Sequence, residues 1–335
     1  MSPAQRRPTS ADVARLAGVS RTTVSSVLND DRDRPISDEA RRRVLDAVRE
    51  LGYTPHASAR MLRAGRSNIV LFPMPRLPLA PARTSYLEIL DRQLTARGLT
   101  LLIHGDRDAS GVAGARRWAE HRPAAVLVAA DRCPEEAVEL LRQAGVDHVL
   151  LEARRPVPYA PTVIVDSVSV AELATRYLLD RGHRRLACLV PGGDIAELAR
   201  DRFDAVATVA GKAGIPVQRV ECALTTDSLA PTVDVWRDPR SRPDAVYAYN
   251  DEFALVLLQA LADAGLRVPE DIAVIGTDNH PLGAALRPAL TTTYLDPVEG
   301  AAAVASSIDR LLRGEQLAPD LTEIARPRII TRSSA

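Results

Sequence analysis

The apolar residues of the first thirty positions recur at helical spacing in two short runs that a glycine separates. Gly18 can adopt the left-handed conformation that ends a helix, and Ser20 can cap the helix that follows. The pattern therefore predicts two helices joined by a tight turn, each with one buried face. The residues predicted to face inward are Val13, Leu16 and Ala17 on the first helix and Val24, Val27 and Leu28 on the second.

The N-terminal end of the second helix carries short polar side chains and one guanidinium group. Arg21, Thr22, Ser25 and Ser26 are predicted to form its outward face, and a helix-turn-helix presents such residues to the major groove of DNA. A small helical hairpin with no DNA partner can show the same spacing, so spacing alone leaves both interpretations open. The candidate DNA contacts in this stretch are Ser20, Arg21, Thr22, Thr23, Ser25, Ser26 and Asn29.

A third helix and a short linker follow the pair. Ser37 can cap the third helix, whose apolar stripe is Val44, Leu45, Val48 and Leu51. Together with the pair it predicts an all-α domain over residues 1–53. Residues 54–66 begin with a Thr-Pro step and end near a glycine, which predicts a short helix or linker. So short a helix is not stable alone in water.

From position 68 onward, buried strands alternate with helices, which predicts a doubly wound α/β core. About nine strands suggest two similar halves. The predicted strands are 69–72, 99–104, 124–129, 149–151, 163–165, 185–190, 217–222, 245–249 and 271–277, and the predicted helices are 87–97, 135–144, 171–181, 201–213 and 252–264.

The charge distribution supports a polyanionic partner for the N-terminal part alone. The chain of 335 residues has no net charge, yet residues 1–66 hold 13 arginines against 8 acidic residues. A basic N-terminal domain on an acidic core suggests that only the former meets nucleic acid. No apolar run approaches the roughly 20 residues of a membrane span, and no secretory leader is visible. A cytoplasmic protein with free thiols at Cys133, Cys188 and Cys222 is the simplest interpretation.

The phrase Asp-Val-Ala-x-x-Ala-Gly-Val-Ser-x-x-Thr-Val-Ser-x-Val-Leu-Asn over residues 12–29 closely resembles the DNA-binding motif of LacI-type transcription factors. Later phrases resemble the same family, among them Tyr-Asn-Asp-Glu-Phe-Ala at 249–254 and Pro-Glu-Asp-Ile-Ala-Val-Ile-Gly-Thr-Asp at 269–278. The resemblance implies a homodimer that binds a near-palindromic operator in double-stranded DNA and represses transcription. It also implies that 54–66 is a hinge helix whose Leu62 enters the minor groove.

The family core resembles periplasmic binding proteins and holds a small-molecule effector, a sugar or another metabolite, between two subdomains. By resemblance the first subdomain comprises residues 67–164 and 291–323, and the second comprises 165–290 and 324–335, within a core over 67–335. Arg202, Asn250 and Asp278 match effector contacts of the family. The alternative is that Asn250 and Asp278 cap helices or tie loops, with Arg202 as their surface counter-ion. After the first strand the family often has Asn-Pro-Phe-Phe, whereas this chain has Ala-Pro-Ala-Arg at 80–83, without an aromatic platform for a sugar ring.

Two functions from other classes remain as alternatives. One is a small-molecule binding protein with the same core and no regulatory role, which would have no use for residues 9–62. The other is an enzyme, for which no catalytic motif is visible, since Gly-x-Ser-x-Gly, Walker and His-Glu-x-x-His patterns are all missing. The sequence also shows no metal-ligand spacing among cysteines and implies no cofactor.

Overall fold

The structure, a computed structural model, describes residues 8–28, 36–53, 67–76, 81–166, 168–317, 320–321 and 326–335. The chain divides into two compact units between Ser67 and Asn68. We call the first the head and the second the core, and each is described by itself.

The head is a three-helix unit around a small apolar centre. Its helices are α1 (Ser10–Ala17), α2 (Arg21–Leu28) and α3 (Asp38–Leu51). Val13, Val24 and Val44, one from each helix, are fully buried and pack together with Ala17, Val27 and Ala47. This packing stabilises helices that would be too short to persist alone, because α1 and α2 have only eight residues each.

Three residues of the head differ from their predicted orientation. Leu16 and Leu45 were predicted to face inward, but they are 45% and 41% exposed. Ala14 and Ala47 are buried instead, so the packed face of each helix is turned toward its small residues. Ser26 was predicted to face outward, but it is 6% exposed. Because α2 packs against both α1 and α3, its buried arc extends past Val27 to Ser26.

The core alternates strands and helices along the described chain. Its strands are β1 (Ile69–Pro73), β2 (Thr100–His104), β3 (Ala125–Ala129), β4 (His148–Ala153), β5 (Thr162–Ile164), β6 (Leu186–Pro191), β7 (Val217–Cys222), β8 (Ala245–Tyr247), β9 (Ala273–Thr277), β10 (Thr291–Leu295), β11 (Asp320–Leu321) and β12 (Pro327–Ile330). Its α-helices are α4 (Pro81–Thr95), α5 (Gly111–Glu120), α6 (Glu135–Gln143), α7 (Ser169–Asp180), α8 (Ala196–Gly211), α9 (Thr226–Trp236), α10 (Asp251–Asp263) and α11 (Pro297–Leu312).

Two six-stranded sheets organise the core, each within its own subdomain. The first sheet has the order β11-β5-β4-β3-β1-β2, and all of its pairs are parallel. The second has the order β12-β10-β9-β8-β6-β7 and is parallel apart from the antiparallel edge pair β10–β12. Both are doubly wound sheets with a switch point beside their first strand, where such folds bind ligands.

Helices cover both faces of each sheet, and the strand sequences reflect this. In the first subdomain α4 and α11 cover one face, and the pair α5 and α6 covers the other. In the second, α7 packs on α8, and α9 packs on α10. Strands buried on both faces are continuously apolar, which explains the unbroken burial of β6 and β9.

The sequence missed several elements and misplaced one boundary. Six elements were not predicted: helices α5, α9 and α11 and strands β10 to β12. In two of these helices the helical pattern is weakened, by glycines in α5 and by Pro231 in α9. β10 pairs with β9 from Thr291 to Thr293, so it belongs to the second sheet. The chain therefore returns to the first subdomain after Leu295, not at the predicted boundary of 290/291.

The contact between α5 and its preceding loop gives a stability prediction. A Cβ on Gly114 would lie 2.9 Å from the backbone carbonyl carbon of Ala109 and 3.0 Å from the ring of Trp118, which is fully buried. Gly114→Ala is expected to lower the free energy of unfolding by about 1–3 kcal/mol, because neither backbone nor a packed indole can yield freely. Urea unfolding followed by circular dichroism measures the change.

The matched control is Gly211→Ala at the C-terminal end of α8. A Cβ there meets nothing within 4 Å, and alanine is a better helix former than glycine. This variant is expected to be as stable as the unmodified protein or more stable by up to about 1 kcal/mol. Equal effects at the two glycines would contradict the packing argument for Gly114.

Candidate functional site

Local hydrogen bonds define the helix-turn-helix of the head. Thr9 caps α1, and the Asp12 carboxylate accepts a hydrogen bond from the Thr9 backbone N–H at 2.9 Å, which completes a capping box. Gly18 ends α1 in the left-handed conformation at φ 64°, where a residue with a side chain would be strained. The turn predicted from the sequence is therefore confirmed in position and in mechanism.

The start of α2 presents a polar surface to solvent. The Ser20 hydroxyl accepts a hydrogen bond from the Thr23 N–H at 3.0 Å and lies 2.8 Å from the Thr23 hydroxyl. Ser20, Arg21 and Thr22 are exposed, and Thr23 and Ser25 are partly exposed. An exposed helix N-terminus with a guanidinium and hydroxyl groups can donate to phosphates and base edges. Ser26 does not belong to this surface, because it is buried.

Two predicted DNA contacts lie outside the described residues. They are Asn29, the next residue in the sequence after α2, and Leu62, in the stretch predicted as a hinge helix over 54–66. Both stay predictions that depend on the sequence resemblance.

The second candidate site lies where the two subdomains of the core face each other. A small cavity there is lined by Pro81 from the first subdomain and by residues from the second that follow β8 and β9. We call this place the cleft. Asn250 and Asp278, two of the three predicted effector contacts, line it together, although 28 positions separate them. The residues lining the cavity are Pro81, Asn250, Asp251, Glu252, Asp278 and His280.

Arg202, the third predicted contact, lies beside the cleft and does not line its cavity. Its guanidinium donates a hydrogen bond to the backbone carbonyl of Tyr249 and stacks over the Tyr249 ring, 4.5 Å from the ring centroid. The positive charge of Arg202 also acts on the Asp278 carboxyl and lowers its pKa. Arg202 therefore joins the first turns of α8 to the end of β8 and supplies positive charge next to a carboxylate.

Asn250 is a helix cap as well as a cavity residue. Its side-chain oxygen accepts a hydrogen bond from the Phe253 N–H at 3.1 Å, which caps α10. Its amide donates to Glu252 at 3.3 Å. Helix capping, which the sequence left open as the alternative to ligand contact, is thus one role of Asn250. Capping also fixes the direction in which its amide faces the cavity.

Asp278 follows β9 in an unusual backbone conformation. Its φ is 96°, in a region that residues other than glycine rarely adopt, and its N–H donates to the Thr293 carbonyl at 2.7 Å. Burial raises the pKa of the Asp278 carboxyl, and the nearby charge of Arg202 opposes that rise. Non-glycine residues held in such strained conformations cluster at ligand sites.

A carboxylate that the sequence analysis did not select holds this turn in place. Asp251 is buried and accepts hydrogen bonds from the Thr292 hydroxyl at 2.7 Å and from the His280 N–H at 2.6 Å. Burial raises its pKa to about 7, although these two hydrogen bonds oppose the rise. A Cβ on Gly276 would collide with the Asp251 carboxylate, so this close approach requires glycine. The sequence signal that could have identified Asp251 is the run Asn-Asp-Glu at 250–252, directly after the predicted strand 245–249.

The first subdomain has its own cluster of polar side chains near the carboxyl ends of its strands. Glu152, near the end of β4, is buried and lies 3.6 Å from the guanidinium of Arg83 in the first turn of α4. The Arg83 guanidinium also lies 6.0 Å from the centroid of the Tyr86 ring. These residues stand near the place where the family pattern has aromatic residues, and here a largely buried charged pair lies beside one aromatic ring.

The part of the chain that the structure describes also bears on metal binding, membrane insertion and thiol chemistry. No group of three His, Cys, Asp or Glu side chains there is arranged to hold a metal ion. No helix of these residues is both long enough and apolar enough to cross a membrane. Cys133, Cys188 and Cys222 are free thiols, as predicted.

Two family profiles match the chain, one for each unit. The profile of bacterial regulatory proteins of the lacI family matches residues 9–56, and that of the periplasmic binding protein-like domain matches residues 175–335.

Curated relatives extend the match along most of the chain. The HTH-type transcriptional repressor PurR of Vibrio atlanticus (strain LGP32) is 32% identical over 295 residues, which cover 84% of this chain and 85% of that protein. PurR of Vibrio vulnificus (strain CMCP6) is 33% identical over 296 residues, with the same coverage.

Solved structures agree with the fold described above. The Lac repressor bound to ONPG in the repressed state has a TM-score of 0.79 at 22% identity and covers 98% of this chain and 100% of that one. The transcriptional regulator CelR in complex with cellobiose has a TM-score of 0.64 at 26% identity, with the same coverage. The chain therefore belongs to the LacI family of bacterial regulatory proteins and is a DNA-binding transcriptional regulator that a small-molecule effector switches.

Proposed function

We propose that this regulator is a cytoplasmic repressor that binds a near-palindromic operator as a homodimer. One helix-turn-helix reads few base pairs, so two heads related by a two-fold axis are needed to read an operator whose halves share that symmetry. The observation that carries the proposal is the exposure of Arg21 and Thr22 at the capped start of α2. Selection of bound sequences from random DNA duplexes tests it, and an asymmetric or featureless consensus would contradict it.

DNA contact in this proposal comes from the start of α2 and from the hinge. Ser20, Arg21, Thr22 and Thr23 meet the major groove, with Ser25 beside them. By family resemblance, Asn29 extends this surface and Leu62 inserts into the minor groove, where an apolar wedge kinks the duplex. Ser26 is left out of the proposed contacts because it is buried.

The effector in this proposal binds in the cleft between the subdomains. Asp278 and Asn250 supply an acceptor and an amide, and Arg202 fixes the end of β8 and balances the charge of Asp278. Carboxylates outnumber cations around the cavity, which favours a small metabolite rich in hydroxyl or amino donors, such as a sugar. CelR is a relative whose crystallised ligand, cellobiose, is of that kind.

Arg21→Ala is expected to relax base preference at one position of each operator half. A lost guanidinium contact to a base edge costs roughly 1–3 kcal/mol of discrimination. Arg49→Ala is the control, since it removes an exposed arginine from the last turn of α3 without touching α2. Random-site selection measures both, and an unchanged consensus for Arg21→Ala would remove Arg21 from the readers.

Asp278→Asn is expected to weaken effector binding while leaving operator binding without effector intact. Ligand donors that lose a buried acceptor stay unpaired, which costs about 1–3 kcal/mol for each group. A thermal-shift screen of metabolites on the unmodified protein first identifies a ligand, and operator binding is then titrated with it. Asp263→Asn, an exposed carboxylate at the far end of α10, is the control. An unchanged midpoint for Asp278→Asn would exclude it from the site.

The raised pKa of Asp251 predicts how stability varies with pH. Between about pH 4 and the folded pKa of about 7, the folded protein keeps a proton on Asp251 that the unfolded chain releases. The contribution of this proton to stability is therefore present in acid and is lost as pH rises through 7.

Asp251→Asn is expected to remove that loss, because its side chain does not titrate. Urea unfolding of both proteins at several pH values between 4.5 and 8 measures the difference. The stability of the unmodified protein relative to the variant should fall across this window by up to about 3 kcal/mol. A constant difference across the window would show that Asp251 is ionised throughout.

A further inference from the structure

An arginine at the end of β4 joins the two subdomains of the core. Arg154 is the first residue after β4, and its guanidinium donates hydrogen bonds to the carboxylates of Glu197 and Asp201 in α8. β4 belongs to the first sheet, whereas α8 packs on β6 of the second. The chain positions that meet here are more than forty residues apart, so the contact is tertiary and spans the two subdomains.

The three charges are arranged as one unit. Glu197 and Asp201 are four positions apart in α8 and therefore lie on the same face of the helix, where two like charges repel each other. One nitrogen of Arg154 contacts each of them. Hydrogen bonding to Asp201 is the largest cause of the raised pKa of Arg154, so the arginine keeps its charge throughout. Removing Arg154 would leave the two carboxylates without this neutralising partner.

The position of this contact relates it to the cleft. Arg154 follows two residues after Glu152, and Asp201 directly precedes Arg202, which holds the end of β8. The described residues also show Arg328 of β12 pairing with Asp296 and Glu299, beside the chain crossing after β10. Arg154 likewise lies beside a crossing, because the Val165 N–H, directly after β5, donates to the Ala153 carbonyl at 2.8 Å. The Arg154 contact is distinguished by its place next to Arg202, through Asp201, which relates it to the cleft.

We propose that Arg154 is a latch that holds the cleft closed through Glu197 and Asp201 before any effector binds. Closing and opening of two domains about a ligand site is a known way to switch a protein. Where the cleft binds the effector, as proposed above, the latch sets the fraction of closed protein that the effector meets. The existence of the latch can be tested without effector or DNA.

The size of the expected effect follows from exposure. Arg154, Glu197 and Asp201 are 42%, 67% and 30% exposed, so water and salt weaken each pair. The latch therefore biases an equilibrium and does not lock it. Loss of Arg154 is expected to raise the open fraction about two- to tenfold. High salt is expected to act in the same direction on the unmodified protein.

The test is hydrogen–deuterium exchange, followed by mass spectrometry, of the full-length protein without ligand. Arg154→Ala is compared with Arg155→Ala, which removes the same charge from the next position, where the described residues show no ion pair. A double variant, Glu197→Gln with Asp201→Asn, removes the other half of the latch. Because Arg154 is exposed, the variants are expected to remain folded, and their melting temperatures check this.

A latch predicts faster exchange on both walls of the cleft, in residues 81–87 and in residues 249–253 and 277–280. The increase should be about two- to tenfold in Arg154→Ala and in the double variant, and it should be missing in Arg155→Ala. Unmodified protein at 1 M salt should resemble Arg154→Ala. Exchange that changes only at residues 153–156 and 196–202 would show a local surface contact and overturn the latch. That result would leave the effector assignment untouched, because no effector enters the assay.

Discussion

Parallel pairing of the strands is the constraint on which the sites of the core depend. A parallel sheet places the carboxyl ends of its strands at one edge, and helices must cover both faces to bury the apolar runs. In this protein β8 and β9 end side by side, so the residues after them, Asn250 and Asp278, meet at one cavity. Arg202 reaches the same place because α8 begins shortly after β6, the neighbour of β8. The polar residues of the cleft are thus brought together by strand order.

Local signals in the sequence were sufficient for much of the fold. The capping box of Thr9, the left-handed Gly18 and the cap at Ser37 follow from rules that involve only a few adjacent residues, and the structure shows each of them. The burial of Ser26 could not be read in this way. Its exposure depends on how closely α1 and α3 flank α2, which is a tertiary fact with no local signature. The same holds for Leu16 and Leu45, because an apolar residue can stand at either margin of a buried helical face.

The parts of the cleft that the sequence missed have long-range causes. Asp251 looks like an acidic residue at a helix start, where the helix dipole favours it. Its actual role depends on Thr292 and His280, about forty and thirty positions away, which donate hydrogen bonds to it. The pairing of Glu152 with Arg83 likewise requires that the start of α4 lie near the end of β4. The boundary at β10 was misplaced because a short strand of threonines carries no sign of which sheet it joins.

Two buried carboxyl groups determine the electrostatics of the cleft before any ligand enters. Asp251 and Asp278 both have raised pKa values, because burial penalises each carboxylate more than the hydrogen bonds to Asp251 and the charge of Arg202 near Asp278 can offset. The Asp278 turn is strained, and Asp251 and β10 hold it by hydrogen bonds. A molecule that donates hydrogen bonds to Asp278 would favour the ionised carboxylate and so recover part of the cost of burial. A ligand that only accepts hydrogen bonds would find no such compensation there. The selectivity for donor-rich molecules that we propose therefore rests on the way this wall of the cleft is folded.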